Sequence, residues 1–287
     1  MESSYEKRGY LLEDFRLFHL RDPEGPKVGY HYHEFHKLVF LLSGAGTYVV
    51  EGRRYVLRPG DIVLVGRGAV HKPEIGGGSA YERVIVYISP EFVRAHSTDD
   101  CNLEACFSVN VGSILRPEKA ELEQLTRLIR ELERELNAQA YGGKLMCRAL
   151  FLRLMVELGR NQRRESFLPL APVEPGDGKM LDILTYLNDH LAEDMSIDAL
   201  AKRFYVSKYH MMRRFRKETG FSIHGYVSDK RLLLARDLIA RGESATDACY
   251  RCGYKSYSSF LRAYVKLFGC TPTGRQNIAS AEYTVNE

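Results

Sequence analysis

Apolar and polar positions change period twice along the 287-residue chain. From about Tyr5 to Ser89, short runs rich in Val, Ile, Leu and Tyr ("HKLVFLLSG", "AGTYVVEGRRYVLRPGDIVLVGRGAVH") are punctuated by Gly44, Gly46, Gly52, Gly60, Gly66 and Gly68. Such spacing predicts short strands in an all-β sandwich or barrel. "RPGD" at Arg58–Asp61 reads as a turn, with Pro59 presetting φ and Gly60 permitting positive φ; Asp61 is read as a turn and surface residue. Near Arg116 the period becomes helical. Pro117 suits a first helical position with glutamates behind it. Leu122, Leu125, Ile129, Leu132 and Leu136 then recur as an a/d seam. A second helix is predicted from about Lys144 to Arg160, with Leu145, Ala149, Leu152 and Val156 on one face. "QRRESFLPLAPVEPGDG" has no period and reads as an interdomain linker. Everything beyond it is helical in period up to about Phe268.

Within that last region, "SIDALAKRFYVSKYHMMRRFRKETG" predicts two short helices joined by a tight turn. Ser196 and Ser207 are the expected N-caps and Gly220 the C-terminal stop. Met211 and Phe215 fall inward; Lys208, Tyr209, Met212, Arg213 and Arg216 fall on other faces. A helix that packs with one stripe and presents cations on another suits the DNA major groove, where arginine pairs with guanine through two hydrogen bonds. "ESATDACYRCGYKSYSSFLRAYVKLFG" repeats the layout about 50 residues on. Ser244 and Ser256 are its caps, Gly253 its turn, Phe260 and Tyr264 its inward pair and Gly269 its stop, with Arg262 in the place of Arg213. Lys255, Tyr257, Ser259 and Arg262 are the expected base readers, with Lys266 and Ser258 on phosphate. A continuous amphipathic helix, "SIHGYVSDKRLLLARDLIARG", separates the two copies.

"RLLLARDLI" followed by "GYKSYSSFLRAYVKLFGCTP" resembles the DNA-binding domain of AraC/XylS-type transcription regulators. The resemblance implies two helix-turn-helix units that place their second helices in successive major grooves on one face of double-stranded promoter or operator DNA. Two positions depart from the family pattern: Val265 stands where lysine is common, and "TPTGRQN" lacks the usual aromatic before its arginine.

At the other end, "HYHEFHKLVFLLSGAG" puts His31 and His33 on one face of a strand, and His71 follows "VGRGAV". His-x-His with a distant histidine resembles the cupin-type sensor domain found before many AraC-type reading heads; "LRPGD" and "YERVIVYISPEF" are similar to that subgroup too. A metal-binding cupin adds a glutamate four residues after the second histidine. Here that residue is Lys37, a cation at a ligand position, so no metal and no cofactor are expected. His31, His33, Lys37 and His71 are read instead as lining a small-molecule pocket, with Lys37 favouring an anionic or polar effector. "HEFH" at His33–His36 is one residue short of the H-E-x-x-H zinc helix. "CYRC" at Cys249–Cys252 lacks a second pair at zinc spacing and reads as buried thiols.

Charge sharpens this division. From Asp177 on there are 17 Lys and Arg against 13 Asp and Glu, and the remainder is balanced, so the net +4 lies in the C-terminal part. That fits a polyanion partner there. No apolar run approaches the ~20 residues of a membrane span; "MESSYEKRGY" lacks the apolar core of a signal peptide; and six cysteines in so long a chain do not form a disulfide framework. A cytoplasmic protein with no membrane partner is expected. No Ser-His-Asp order, nucleophile elbow or phosphate loop is present.

The expected fold is a multidomain α+β chain. An N-terminal all-β cupin-like barrel followed by helices precedes a C-terminal all-α double helix-turn-helix domain. Residues 1–112 are assigned to the sensing barrel, 113–163 to a helical dimerisation segment, 164–178 to the linker and 179–278 to DNA binding. The function expected is effector-controlled transcription regulation without enzymatic activity, by a homodimer, with RNA polymerase as a further partner. The alternatives are a metal-dependent cupin enzyme with a fused helical tail and a sequence-indifferent architectural DNA binder.

Overall fold

A computed structural model of the protein describes residues 11, 13–23, 28–75, 80–107, 114–138, 140–164, 170–173, 178–193 and 195–274. The strand start expected at Tyr5, much of the linker and everything after Gly274 lie outside them. The chain divides into two compact units, with the boundary between Glu174 and Pro175.

The first unit holds strands β1 Phe15–Asp22, β2 His36–Ser43, β3 Gly46–Val50, β4 Arg53–Leu57, β5 Ile62–Val65, β6 His71–Ile75, β7 Tyr81–Ile88 and β8 Ile114–Leu115. They form a five-stranded sheet in the order β1-β7-β2-β5-β8 and a three-stranded sheet in the order β4-β3-β6. The five-stranded sheet is antiparallel throughout. "HKLVFL" is apolar almost without alternation because both faces of β2 are covered. Leu38 and Phe40, with Ile62, Leu64, Val84 and Val86, face helices. Val39 and Leu41, with Val63, Val65 and Ile85, face Tyr48, Val50, Tyr55 and Leu57 of the other strands. Each such large side chain contributes about 1.5–3 kcal/mol by leaving water. Gly44 (φ 94°) turns β2 into β3, where a Cβ would meet the Ala80 carbonyl oxygen at 3.1 Å; only glycine combines that φ with that proximity.

The RPGD turn forms as expected, with Gly60 at φ 93° and the Asp61 N–H donating to the Arg58 carbonyl at 3.0 Å. Asp61 itself is not a surface residue. It is fully buried, accepts from the Arg58 N–H at 2.8 Å and takes both arms of Arg116 at 2.7 Å. A buried carboxylate needs such a partner.

Helices α1 Pro90–Ala95, α2 Lys119–Asn137 and α3 Gly143–Gln162, with a 3-10 turn at Leu103–Phe107, cover the outer face of the five-stranded sheet. Pro117 lies outside α2. The helix starts after Glu118, whose N–H donates to the Glu121 carboxylate at 3.1 Å, and this contact fixes the first turn. The leucine seam of α2 points inward. Leu125, Ile129 and Leu132 are buried in the same core as the sheet, Leu122 packs against it, and Leu136 at the end is exposed. Helix α3 buries Cys147, Phe151, Leu154, Met155 and Leu158, and Phe151 stacks on Phe15 at 4.3 Å. The stripe Leu145–Ala149–Leu152–Val156 is only partly outside that buried face: Leu145 is 73% exposed, Ala149 is exposed, and Leu152 and Val156 are half-buried against the core. The two helices therefore share a core with the sheet, and the expected break at 112/113 does not divide it.

The second unit is helical: α4 Gly178–Asp189, α5 Ile197–Phe204, α6 Lys208–Thr219, α7 Ile223–Ala240, α8 Ala245–Arg251 and α9 Tyr257–Phe268. Ser196, Ser207, Ser222 and Ser244 each accept a backbone N–H at the start of α5, α6, α7 and α8. Ser256 occupies the N-cap of α9 without a side-chain hydrogen bond to the helix. Gly220 (φ 77°) and Gly269 (φ 72°) end α6 and α9 in the left-handed conformation.

Candidate DNA interface and sensor site

Helices α6 and α9 are built to one plan. Met211 matches Phe260, Phe215 matches Tyr264 and Gly220 matches Gly269, each 49 residues apart. All four side chains of the inward pairs are buried. Opposite them on α6, Lys208, Tyr209, Met212, Arg213 and Arg216 are exposed, with the Arg213 guanidinium 5.8 Å from the centre of the Tyr209 ring. Lys208 pairs with Asp198 of α5. On α9 and the turn before it, Lys255, Ser258, Ser259, Arg262 and Lys266 are exposed. Tyr257 is half-buried against Phe260, ring centres 5.8 Å apart. The same 49-residue offset picks out two residues that the sequence reading passed over. His210 and Lys217 are exposed on α6 at the positions of Ser259 and Lys266. Arg216 has Val265 as its counterpart, so the second head lacks that cation.

The quoted signature residues are mostly framework. Arg231 donates to the carbonyls of Leu191 at 2.6 Å and Glu193 at 2.7 Å, which ties α7 to the segment after α4. Gly253 (φ 94°) lies against that segment: a Cβ there would sit 2.7 Å from the Leu191 carbonyl oxygen. Tyr254 packs on Phe260 at 5.5 Å and its hydroxyl meets Ser228 at 3.0 Å. Cys249 and Cys252 are fully buried thiols. Burial pushes Cys252 up to about 11, and its Sγ donates to the Cys249 carbonyl.

In the first unit His31, His33, Lys37 and His71 are all buried. His31 and His33 do not lie in a regular strand. His31 makes a single two-residue bridge with His71, backbone N–H to carbonyl in both directions at 3.1 and 2.9 Å, and the chain then runs irregularly to β2. Their rings still converge, with centres 4.9 Å apart for His31–His33, 4.2 Å for His31–His71 and 5.1 Å for His33–His71. One ring nitrogen from each lies within 4.8 Å of the others. The Nδ1 of His31 contacts the Gly29 carbonyl at 2.8 Å and that of His71 the Ala69 carbonyl at 2.9 Å. A carbonyl only accepts, so Nδ1 carries a proton in both. The Nε2 of His71 is buried without a hydrogen-bond partner among the described residues. Burial, then repulsion from His31, Lys37 and His33, holds His71 well below the usual imidazole range, so it is neutral at physiological pH. Lys37 opposes Val65 and Tyr87 in the ladders; strand alternation points it with Val39 and Leu41 into the space between the sheets. His36 points the other way, stacking on Phe107 at 4.4 Å and meeting Glu104 at 3.3 Å. The near-motif "HEFH" thus splits across two faces.

A regular β domain with a buried histidine cluster, followed by a helical unit with two matched exposed reading helices, defines a sensor-and-reader protein. Residues 17–155 match the model of the AraC-like ligand binding domain and residues 200–277 that of a helix-turn-helix domain. The chain belongs to the AraC-type family of transcription regulators. It is 27% identical over 256 residues to the HTH-type transcriptional activator RhaS of Enterobacter sp. (strain 638), covering 88% of this chain and 89% of that one. It is 25% identical over 254 residues to RhaS of Escherichia coli (strain K12 / DH10B), with the same coverage. Among solved structures, ToxT of Vibrio cholerae aligns over 91% of this chain and 97% of its own, at 12% identity and a TM-score of 0.35. The protein is a DNA-binding transcription regulator with an N-terminal ligand-binding domain.

Proposed function

We propose that the protein is an effector-controlled transcriptional activator whose base-reading residues are Lys208, Tyr209, Met212, Arg213 and Arg216 on α6 and Lys255, Tyr257, Ser259 and Arg262 on the α9 side. Lys266 and Ser258, with the newly placed Lys217, contact phosphate, and His210 joins the first reading face. The observation that carries this is the matched pair α6 and α9, each burying one stripe and exposing a second that holds cations and hydrogen-bonding groups. Activation is inferred from the printed function of the RhaS relatives.

His31, His33, Lys37 and His71 form the effector site. A buried lysine beside three imidazoles favours an anionic or polar molecule. The barrel senses and does not catalyse. The effector acts by binding one arrangement of the regulator more tightly than the other, since a ligand shifts an equilibrium only by its differential affinity. The working form is a homodimer in the cytoplasm, where its DNA and RNA polymerase are. The α2 seam is occupied by its own core, so the dimer contact is assigned to the exposed turn of α3 around Leu145 and Ala149. Genome-wide mapping of bound sites tests the reading. A small set of promoters sharing one motif supports it, and uniform occupancy of the chromosome sinks it.

A further inference from the structure

We propose that His31, His33 and His71 hold one divalent transition-metal ion, whose open coordination position takes the anionic effector in partnership with Lys37. This rests on the reading of the barrel as an effector site and names what anchors the effector there. Three features converge. One nitrogen from each of three buried imidazoles lies within 4.8 Å of the others. In His31 and His71 the far nitrogen is already tied to a backbone carbonyl, the arrangement that fixes tautomer and ring direction in metal-bound histidines. The remaining nitrogen of His71, fully buried, has no hydrogen-bond partner among the described residues. Two zinc–nitrogen bonds of ~2.0–2.1 Å place their nitrogens ~3.4 Å apart at a tetrahedral angle, so modest rotations of the rings close the site. Imidazole donors suit zinc, iron, copper or nickel and suit magnesium or calcium poorly.

Lys37 is the feature that seemed to forbid a metal. A fixed ammonium beside a dication is unfavourable if nothing lies between them. An anion bound to both removes the repulsion and gains from each. Where a metal-binding cupin has a carboxylate, this strand carries Lys37, whose cation suits a negatively charged small molecule at the open position. Metal and anion affinity are then coupled, each tightening the other by the same factor.

The test uses the full-length protein stripped with a chelator and titrated with Co2+ alone, read by its visible absorption. Formate is then added as an anion probe. Wild type should take up one Co2+ per chain with a tetrahedral-type spectrum. X-ray absorption of that complex should show three imidazole nitrogens plus oxygen and no sulfur. His71→Ala and His33→Gln should each weaken Co2+ binding by more than about tenfold. Formate should shift the wild-type spectrum and tighten Co2+ binding, and Lys37→Met should retain Co2+ but lose most of the formate response. Absence of stoichiometric Co2+ uptake by wild type, or a coordination shell lacking imidazole, overturns the metal site. If such a metal-free protein still binds organic acids in a Lys37-dependent way by calorimetry, the effector pocket stands and only the metal falls. Co2+ uptake with no formate response in wild type overturns the shared-anion half.

Discussion

Buried charges and rings behave differently from what their neighbours in the chain suggest. Asp61 sits in a Pro-Gly turn, which normally points outward, yet it is fully buried because Arg116, 55 residues away, closes on it with two hydrogen bonds. Nothing local in the sequence announces that partner. Phe260 was legible, since an i, i+4 aromatic pair between a serine and a glycine leaves one inward stripe. Phe260→Ala should destabilise the second unit by ~3–5 kcal/mol, through lost burial and the cavity left behind, as measured by denaturant unfolding. Arg213→Ala and Arg262→Ala should leave that stability unchanged. Each should cost ~1–3 kcal/mol at the cognate site and relax preference at one base pair; an equal loss on random DNA assigns them to phosphate. His19 bridges Glu133 at 2.8 Å and Glu82 at 3.0 Å. Burial lowers its basicity, but the two carboxylates outweigh that and raise it above the usual 6.5. Its contribution is therefore complete below about pH 6.5 and fades as pH rises through the raised folded-state value. The side chain is 36% exposed, so screening keeps the gain below about 1 kcal/mol. His19→Gln should lower the melting temperature more at about pH 5.5 than at about pH 8.5.

Elements show where periodicity misleads. A heptad seam is equally the mark of a coiled coil and of a helix lying on a sheet. The α2 seam is the second, and its place is taken by Leu38, Phe40 and Val86 of the sheet beneath it. On α3 the apolar stripe runs from the exposed Leu145 and Ala149 to Leu152 and Val156 at the margin of the core, because the buried face is centred on Cys147, Phe151, Leu154, Met155 and Leu158, which the stripe omitted. Leu145→Asp combined with Ala149→Asp, both at exposed positions, should convert the proposed dimer to monomer in sedimentation with the unfolding midpoint nearly unchanged. Ile129→Asp, which buries an unpaired carboxylate, should unfold the first unit instead. A double variant that sediments as wild type removes α3 from the interface. The reading helices were the most legible elements, because two aligned copies constrain each other. His210 and Lys217 stand out only when every position of one helix is paired with its counterpart 49 residues on, Ser259 and Lys266.

At the scale of the molecule, a neutral sensor joined to a basic reader was visible in the charge distribution and in the change of hydrophobic period. The extent of the sensor was not. The strand β8 and two helices belong to its core through contacts between residues far apart in sequence, and no local pattern records those. The histidine cluster was half-visible: His-x-His spacing gives two neighbours on one side, but the bridge that brings His71 to them is a tertiary event.

Sequence-specific control requires two reading heads that touch base edges. Footprinting the full-length protein on a selected high-affinity site at moderate salt tests this directly. Two protected major-groove segments about one helical turn apart are expected in each half-site, with Arg213→Ala exposing only one segment of each pair and Arg262→Ala only the other. Uniform protection of any duplex, with both variants weakened alike on all sequences, would contradict it.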